Sequence, residues 1–378
     1  MLYKKPKIMF LPYKLHFRYF IFALAIRNNV AVLLPPEKHL PAGTNIKGIR
    51  ISYKQFGINL IKKFIGRELR TQKYVKRLKK IISAEKPDIL ITCEFYHWYT
   101  LQALFYKKQN QAMQLFVVSE TKRWPKNVFA RQVKKLIFTY FKLNCSYVDA
   151  MLVYTEQARN FLSEHIPNMK TILVPAPVDT DLFKSDSLKK FYQNKTLKIL
   201  FNARYSPYKR HIDLFSAIAK LTIRGYKIEV TCISRDDKRL AEVQELAHKF
   251  GIQDMINFKR SMPLSQMPSL YKAHDIVILP SYNEAIGMVI PEAMSCGIPT
   301  ITSDTVGANV YVKPGVTGFI FKTGDVYSLA SALEKCCDPN RLNIMGAAAR
   351  NHIIKNYSAD QIVGRFEAII NVAEQKNG

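Results

Sequence analysis

The feature that most restricts the fold is an alternation of strand and helix patterns that runs through 378 residues and starts afresh halfway. Short apolar runs read as buried strands at 7–13 (KIMFLPY), 30–35 (VAVLLP), 87–94 (PDILITCE), 115–120 (LFVVSE) and 150–155 (AMLVYT). Segments of helical period separate them, the pattern of a parallel sheet with helices on both faces. The series restarts at 197–204 (LKILFNAR), 226–234 (YKIEVTCIS), 254–259 (DMINFK), 275–281 (DIVILPS) and 299–304 (PTITSD). Each series is long enough for a domain of its own. The polar, proline-bearing stretch 174–196 between them reads as a hinge. An α/β chain with two Rossmann-like domains is expected.

Charge separates the two halves. Residues 1–150 hold 29 Lys and Arg against 7 Asp and Glu, whereas residues 151–378 hold 28 against 22. Such a basic first half fits an anionic partner: a membrane surface, a phosphorylated substrate or nucleic acid. The most legible basic segment, 58–82, is read as an amphipathic helix, with Leu60, Ile61, Phe64, Tyr74, Val75, Leu78 and Ile82 on one side and mostly Lys and Arg on the other. That basic face suits a solvated surface or anionic lipid headgroups. Aromatic residues do not interleave with it as in base-stacking platforms, so no nucleic-acid partner is expected. The best apolar candidate for a span, YFIFALAI at 19–26, is far shorter than the roughly 20 residues a bilayer needs. The six cysteines show no metal-ligand spacing and are read as reduced thiols in a cytoplasmic protein.

Chemistry concentrates in PSYNEAIGMVIPEAMSCGIP, residues 280–299. A strand ends near Ser281 and a helix begins near Gly287 or Met288, with Pro291 tolerated in its first turn, Gly297 as its terminator and Pro299 beyond. Glu284 then lies in the loop at the carboxyl end of a strand, where open α/β sheets bind ligands, and Glu292 lies about a turn inside the helix. Two carboxylates match sugar hydroxyls, while unpaired backbone N–H groups at a helix start suit a phosphate.

NEAIGMVIPEAMSCGIPTITSD resembles the E-x7-E signature of retaining glycosyltransferase family four, of GT-B fold, at Glu284, Gly287, Glu292, Ala293, Gly297 and Pro299. The resemblance implies that Glu284 contacts the transferred sugar and Glu292 the ribose, with Ile286, Gly287, Met288, Val289 and Arg260 also on the donor. A second segment, ILFNARYSPYKRHIDLFSAI at 199–218, resembles the family's strand–loop–helix in which Arg204 and Lys209 would grip the diphosphate. A planar guanidinium fork and a compact ammonium suit that task and stabilise charge on a leaving phosphate. The likeness extends over 149–345 and is faint before that.

There are departures. The first strand runs into FLPYKLHFRYF without the family's glycine-rich turn, and TCISRDD at 231–237 also lacks glycines. Where many members carry a histidine after the fourth strand this chain has Glu120, taken as a catalytic-side residue, with His97 and His211 as weaker candidates. Asp179-Thr180-Asp181 spells DxD, but in the interdomain segment, so neither a metal nor another cofactor is expected.

The resemblance thus implies a GT-B enzyme whose two Rossmann-like domains face a central cleft. Residues 1–178 would bind the acceptor, 185–357 would bind the nucleotide sugar, and a helix at 359–378 would cross back to the first domain. It would be a retaining, metal-independent transferase moving sugar from a nucleotide diphosphate sugar to a hydroxyl, such as a lipid-linked saccharide or other cell-surface glycan precursor. Its place would be the cytoplasmic face of a membrane. The alternative is a charge-driven nucleic-acid- or membrane-binding Rossmann protein without transferase activity.

Overall fold

The computed structural model describes residues 5–11, 21, 24–25, 28–34, 46–50, 53–55, 73–125, 127–184, 189–235 and 237–374. They divide into two compact units, Met1–Ala176 with Ile362–Gly378, and Pro177–Gln361.

In unit 1 the strands β1 (Lys7–Leu11), β2 (Asn29–Leu34) and β3 (Ile46–Arg50) are followed by a two-stranded ribbon of β4 (Tyr53–Gln55) and β5 (Lys73–Val75). The helix α1 (Leu78–Glu85), strand β6 (Ile89–Cys93), helix α2 (Trp98–Gln109), strand β7 (Gln114–Ser119) and helix α3 (Val128–Leu143) come next. Strand β8 (Ala150–Val153), helix α4 (Glu156–His165) and strand β9 (Thr171–Leu173) complete the run. Seven strands form one sheet in the order β3-β2-β1-β6-β7-β8-β9. Every side chain of β6, β7 and β8 is buried, as a parallel sheet covered on both faces requires.

Unit 2 repeats the plan. Its elements are β10 (Thr196–Asn202), α5 (His211–Ile223), β11 (Lys227–Ser234), α6 (Leu240–Lys249), β12 (Ile256–Arg260), α7 (Met267–Lys272) and β13 (Ile276–Leu279). They continue through α8 (Val289–Ser295), β14 (Thr300–Ser303), β15 (Gly318–Phe321), α9 (Val326–Lys335), α10 (Pro339–Tyr357) and α11 (Ala359–Glu374). The sheet order is β12-β11-β10-β13-β14-β15, and every pairing is parallel. From Ile362 onward α11 groups with unit 1, where Phe366 meets Phe116 with ring centroids 5.7 Å apart and Glu367 accepts from the Asn28 amide at 2.9 Å.

Two sequence readings need correction. Of the helix expected over 58–82, residues 58–72 lie outside the described residues, and the rest is not one helix. Lys73–Val75 pairs antiparallel with Tyr53–Gln55, and α1 starts only at Leu78, after Arg77 in the left-handed region at φ 57°. Strand pairing overrode an apolar spacing that also fits a helix. Secondly, β3, β9 and β15 were not foreseen, because each is an edge strand and is not an uninterrupted buried run. All six cysteines are free thiols, four of them buried.

Candidate active site

Strands β10 and β13 are neighbours, yet the chain proceeds from β10 toward β11 on one side and from β13 toward β14 on the other. Loops leaving the carboxyl ends of such a pair diverge and open a crevice, the usual ligand position of an open α/β sheet. Both motifs arrive there. After β10 come Arg204 and a single 3-10 turn, Pro207–Lys209. Arg210, left-handed at φ 57°, turns the chain into α5 and is anchored by Asp213 (Nε to Oδ2, 2.7 Å). After β13 comes the 281–288 loop. The Lys209 ammonium donates to the Glu284 carboxylate, and the Tyr282 N–H donates to the Tyr208 carbonyl at 2.8 Å. Residues 75 positions apart are thereby joined.

A third loop braces them. The Glu284 carbonyl accepts from the Gly307 N–H at 3.0 Å, and the Ser281 carbonyl accepts from Ser303 Oγ at 2.5 Å and Thr305 Oγ1 at 3.2 Å. Sequence reasoning did not single out Ser303 or Thr305; the polar cluster closing TITSDT was the available signal.

Electrostatically the site is poised to take an anion. Lys209 and Glu284 keep 14% and 27% of their side-chain surface, so the pair is partly desolvated but open on one side. Burial, and secondarily the Arg204 cation, lower the Lys209 pKa to about 8. Arg204 itself is exposed. Two cations that repel each other across a half-dry loop are stabilised by an anion placed between them.

Gly287 fixes the turn from Glu284 into α8. Its φ is +78°, and an added Cβ would stand 2.8 Å from Leu279 Cδ2 and 3.2 Å from Ala308 Cβ. Gly287→Ala is therefore expected to destabilise unit 2 by about 2 kcal/mol, from left-handed strain plus overpacking. Thermal unfolding should show a midpoint several degrees lower, and an unchanged midpoint would refute that role.

Of the other expected donor contacts, Ile286 is buried while Met288 and Val289 are half-buried. Glu292 is only 7% exposed and accepts the Tyr271 hydroxyl at 2.8 Å, a partner not apparent from the sequence. Arg260 ends β12 and is exposed, with its Nε and Nη2 on Asp237 Oδ2 at 2.8 and 2.5 Å. His211, read as a solvated helix-start residue that could help with phosphate, is not solvated. It is 4% exposed, lies against Phe201 with centroids 4.4 Å apart, and burial lowers its pKa to about 3, so it is a neutral packing group. Asp179 of the DxD triplet caps a local turn, accepting the Leu182 N–H at 2.9 Å.

In unit 1 the equivalent switch point lies between β1 and β6. Glu120 follows β7 and is half-buried. Its backbone N–H donates to Glu94 Oε1 at 2.9 Å. Glu94, at the end of β6, is 3% exposed and left-handed at φ 62°. Its Oε2 also accepts from Ser119 Oγ at 3.0 Å and Thr121 Oγ1 at 2.9 Å. One buried carboxylate thus holds the whole 119–121 segment, a role that CEFYH gave no reason to assign. His97 is buried and stacks on Tyr99 at 4.8 Å, as a packing residue would.

Residues 184–368 match the family of glycosyl transferases group 1. A UDP-Gal:alpha-D-GlcNAc-diphosphoundecaprenol alpha-1,3-galactosyltransferase of Escherichia coli is 28% identical over 255 residues, which is 63% of this chain and 64% of that protein. A D-inositol 3-phosphate glycosyltransferase of Gordonia bronchialis is 36% identical over 120 residues, 32% of this chain and 26% of that protein. The matches thus span less than two thirds of these relatives. Among solved structures, sucrose-phosphate synthase from Thermosynechococcus elongatus gives a TM-score of 0.75 at 15% identity, covering 98% of this chain and all of that one. Anabaena Alr3699/HepE in complex with UDP and glucose gives 0.72 at 17% identity over 97% of this chain and all of that one. The fold of both units is that of these GT-B structures.

Proposed function

From a chain whose residues 184–368 belong to the group 1 glycosyl transferases, we propose a retaining glycosyltransferase that moves a sugar from a nucleotide diphosphate sugar to a hydroxyl of a lipid-linked saccharide. The single observation that carries this reading is the meeting of Lys209 with Glu284 at the β10/β13 switch point, beside Arg204. Unit 2 binds the donor. Arg204 and Lys209 face the diphosphate, Glu284 orients the sugar, and Glu292, positioned by Tyr271, serves the ribose. Unit 1 binds the acceptor, with Glu120 on the acceptor side.

The chemistry follows from the charges. As the bond between the anomeric carbon and the diphosphate oxygen breaks, negative charge grows on that oxygen, where two preorganised cations stabilise it most. The acceptor hydroxyl attacks the anomeric carbon from the face the diphosphate is leaving. Its proton passes to the departing diphosphate, the base nearest to it, and the sugar keeps its configuration. Lys209 moves from Glu284 toward phosphate when donor binds, which frees the carboxylate for sugar hydroxyls.

Support for a lipid-linked acceptor comes from the diphosphoundecaprenol substrate in the name of the E. coli relative, and for a uridine nucleotide from that name and the HepE complex. The basic first half of the chain is consistent with work at an anionic membrane face. The test is incubation with UDP-galactose, UDP-glucose or UDP-GlcNAc and a synthetic GlcNAc-diphospho-polyprenol, followed by mass spectrometry and NMR of the product. One α-linked product supports the reading. A β-linked product refutes retention, and no product from any of the three donors refutes transfer from a uridine diphosphate sugar to this lipid-linked acceptor.

A further inference from the structure

Helix α3 carries large apolar side chains on both sides. Its inward face holds Ala130, Phe138 and Phe141, all buried, together with the buried Lys134, whose ammonium lies over the Tyr96 ring. Its outward face carries Val128, Phe129, Leu136, Tyr140 and Leu143, all exposed, with Leu136 at 74% and Leu143 at 78%. At about 100° per residue these five fall within a sector of roughly 120°, which the exposed Gln132 and Thr139 share, so they form an apolar face with two polar breaks. Single exposed leucines are ordinary in a soluble protein; five large apolar side chains on one face mark a surface that meets something.

Charge says what it meets. Lys135 and Lys142 are exposed along one edge of that face, and Arg131 is half-exposed on the same edge. The helix contains no Asp or Glu, and between residues 95 and 148 the sequence has one carboxylate, Glu120. A second copy of this face would bring lysine against lysine, which opposes a symmetric dimer. An anionic lipid surface satisfies both halves of the pattern: apolar side chains enter the acyl boundary while the flanking ammonium groups stay among the phosphates. We propose that the exposed face of α3 docks unit 1 on an anionic bilayer. Lipid contact, one of two readings the sequence offers for the 58–82 segment, belongs here to a different element. The purpose of docking rests on the lipid-linked acceptor proposed above: the α3 cap Asn127 follows Glu120 by only seven positions, so the helix starts near the acceptor-side residue.

The test uses the full chain and vesicles of phosphatidylcholine with or without about 30% phosphatidylglycerol, at low and high salt. Wild type should sediment with the anionic vesicles at low salt and hardly at all with pure phosphatidylcholine. Leu136→Ser with Leu143→Ser, and separately Lys135→Glu with Lys142→Glu, should each reduce binding about tenfold while UDP-induced thermal stabilisation stays as in wild type. No wild-type binding, or variants that bind equally well, would overturn the proposal. So would a dimer in analytical ultracentrifugation that the same variants abolish. Vesicle binding that follows the helix in a protein that UDP, GDP and ADP fail to stabilise would leave α3 as the docking face and sink the transferase reading alone.

Discussion

Lys209→Ala is expected to lower kcat/KM by about 10²–10³-fold, the usual cost of removing one preorganised charge from a group that becomes more anionic in the transition state. Most of the loss should appear in kcat, because the diphosphate gains charge as the glycosidic bond breaks and the ground state already has Arg204. The same residue sets a pH limit. Burial and Arg204 lower the Lys209 pKa to about 8, so in the free enzyme the ammonium is present below pH 8 and lost above it. The kcat/KM of wild type should therefore fall as pH rises through about 8. The kcat should decline only at higher pH, since bound diphosphate favours the charged form. Lys209→Arg, whose charge does not titrate in this range, should lack the decline near pH 8 even with lower activity. Steady-state profiles from pH 6 to 10 check this. A flat wild-type profile would remove Lys209 from the chemistry.

Glu284→Gln should cost about 10²-fold in kcat, with UDP affinity within a few-fold of wild type. The substitution keeps shape and one acceptor oxygen but removes the charge that orients the hydroxyls of the transferred sugar, and UDP lacks that sugar. The donor-free state also changes, because Lys209 loses its counter-charge and becomes easier to deprotonate. The double variant Lys209→Ala/Glu284→Gln should therefore fall short of the product of the single effects. Glu292→Gln offers a contrast, since its loss should weaken UDP itself. Calorimetry with UDP beside steady-state kinetics separates the two glutamates, and equal loss of UDP affinity in both would contradict the division.

Sequence carried the strands of both sheets wherever they were buried on two faces, because such strands are uninterrupted apolar runs. It missed β3, β9 and β15, which are edge strands without an uninterrupted buried run, and it extended a helix across Lys73–Val75, where the partner strand at Tyr53–Gln55 decides the conformation. Within the site the local motifs were legible. The loop after β10 and the loop before α8 each keep their meaning inside about 20 residues. What the sequence did not reveal was their meeting, which depends on β10 and β13 being neighbours despite two intervening strands. The partners that fix buried carboxylates were hidden for the same reason. Tyr271 reaches Glu292 from 21 positions away, and Glu94 holds Ser119, Glu120 and Thr121 across the gap between β6 and β7. Glu94 sits in a left-handed conformation that these bonds help to hold, together with the Val118 carbonyl, which accepts its N–H at 2.6 Å, and Thr100 Oγ1, which donates to its carbonyl at 2.9 Å.

The central claim is that the β10/β13 crevice of unit 2 binds a nucleoside diphosphate through Lys209. Thermal unfolding with UDP, GDP and ADP, each at about 1 mM, on wild type and Lys209→Ala, tests it most directly. A ligand with a dissociation constant of about 10 μM adds about 2.7 kcal/mol at that concentration, a readily visible rise in midpoint. The account predicts such a rise with one nucleotide, UDP, and its loss in Lys209→Ala. No rise with any nucleotide in folded wild type, or an undiminished rise in the variant, would contradict it.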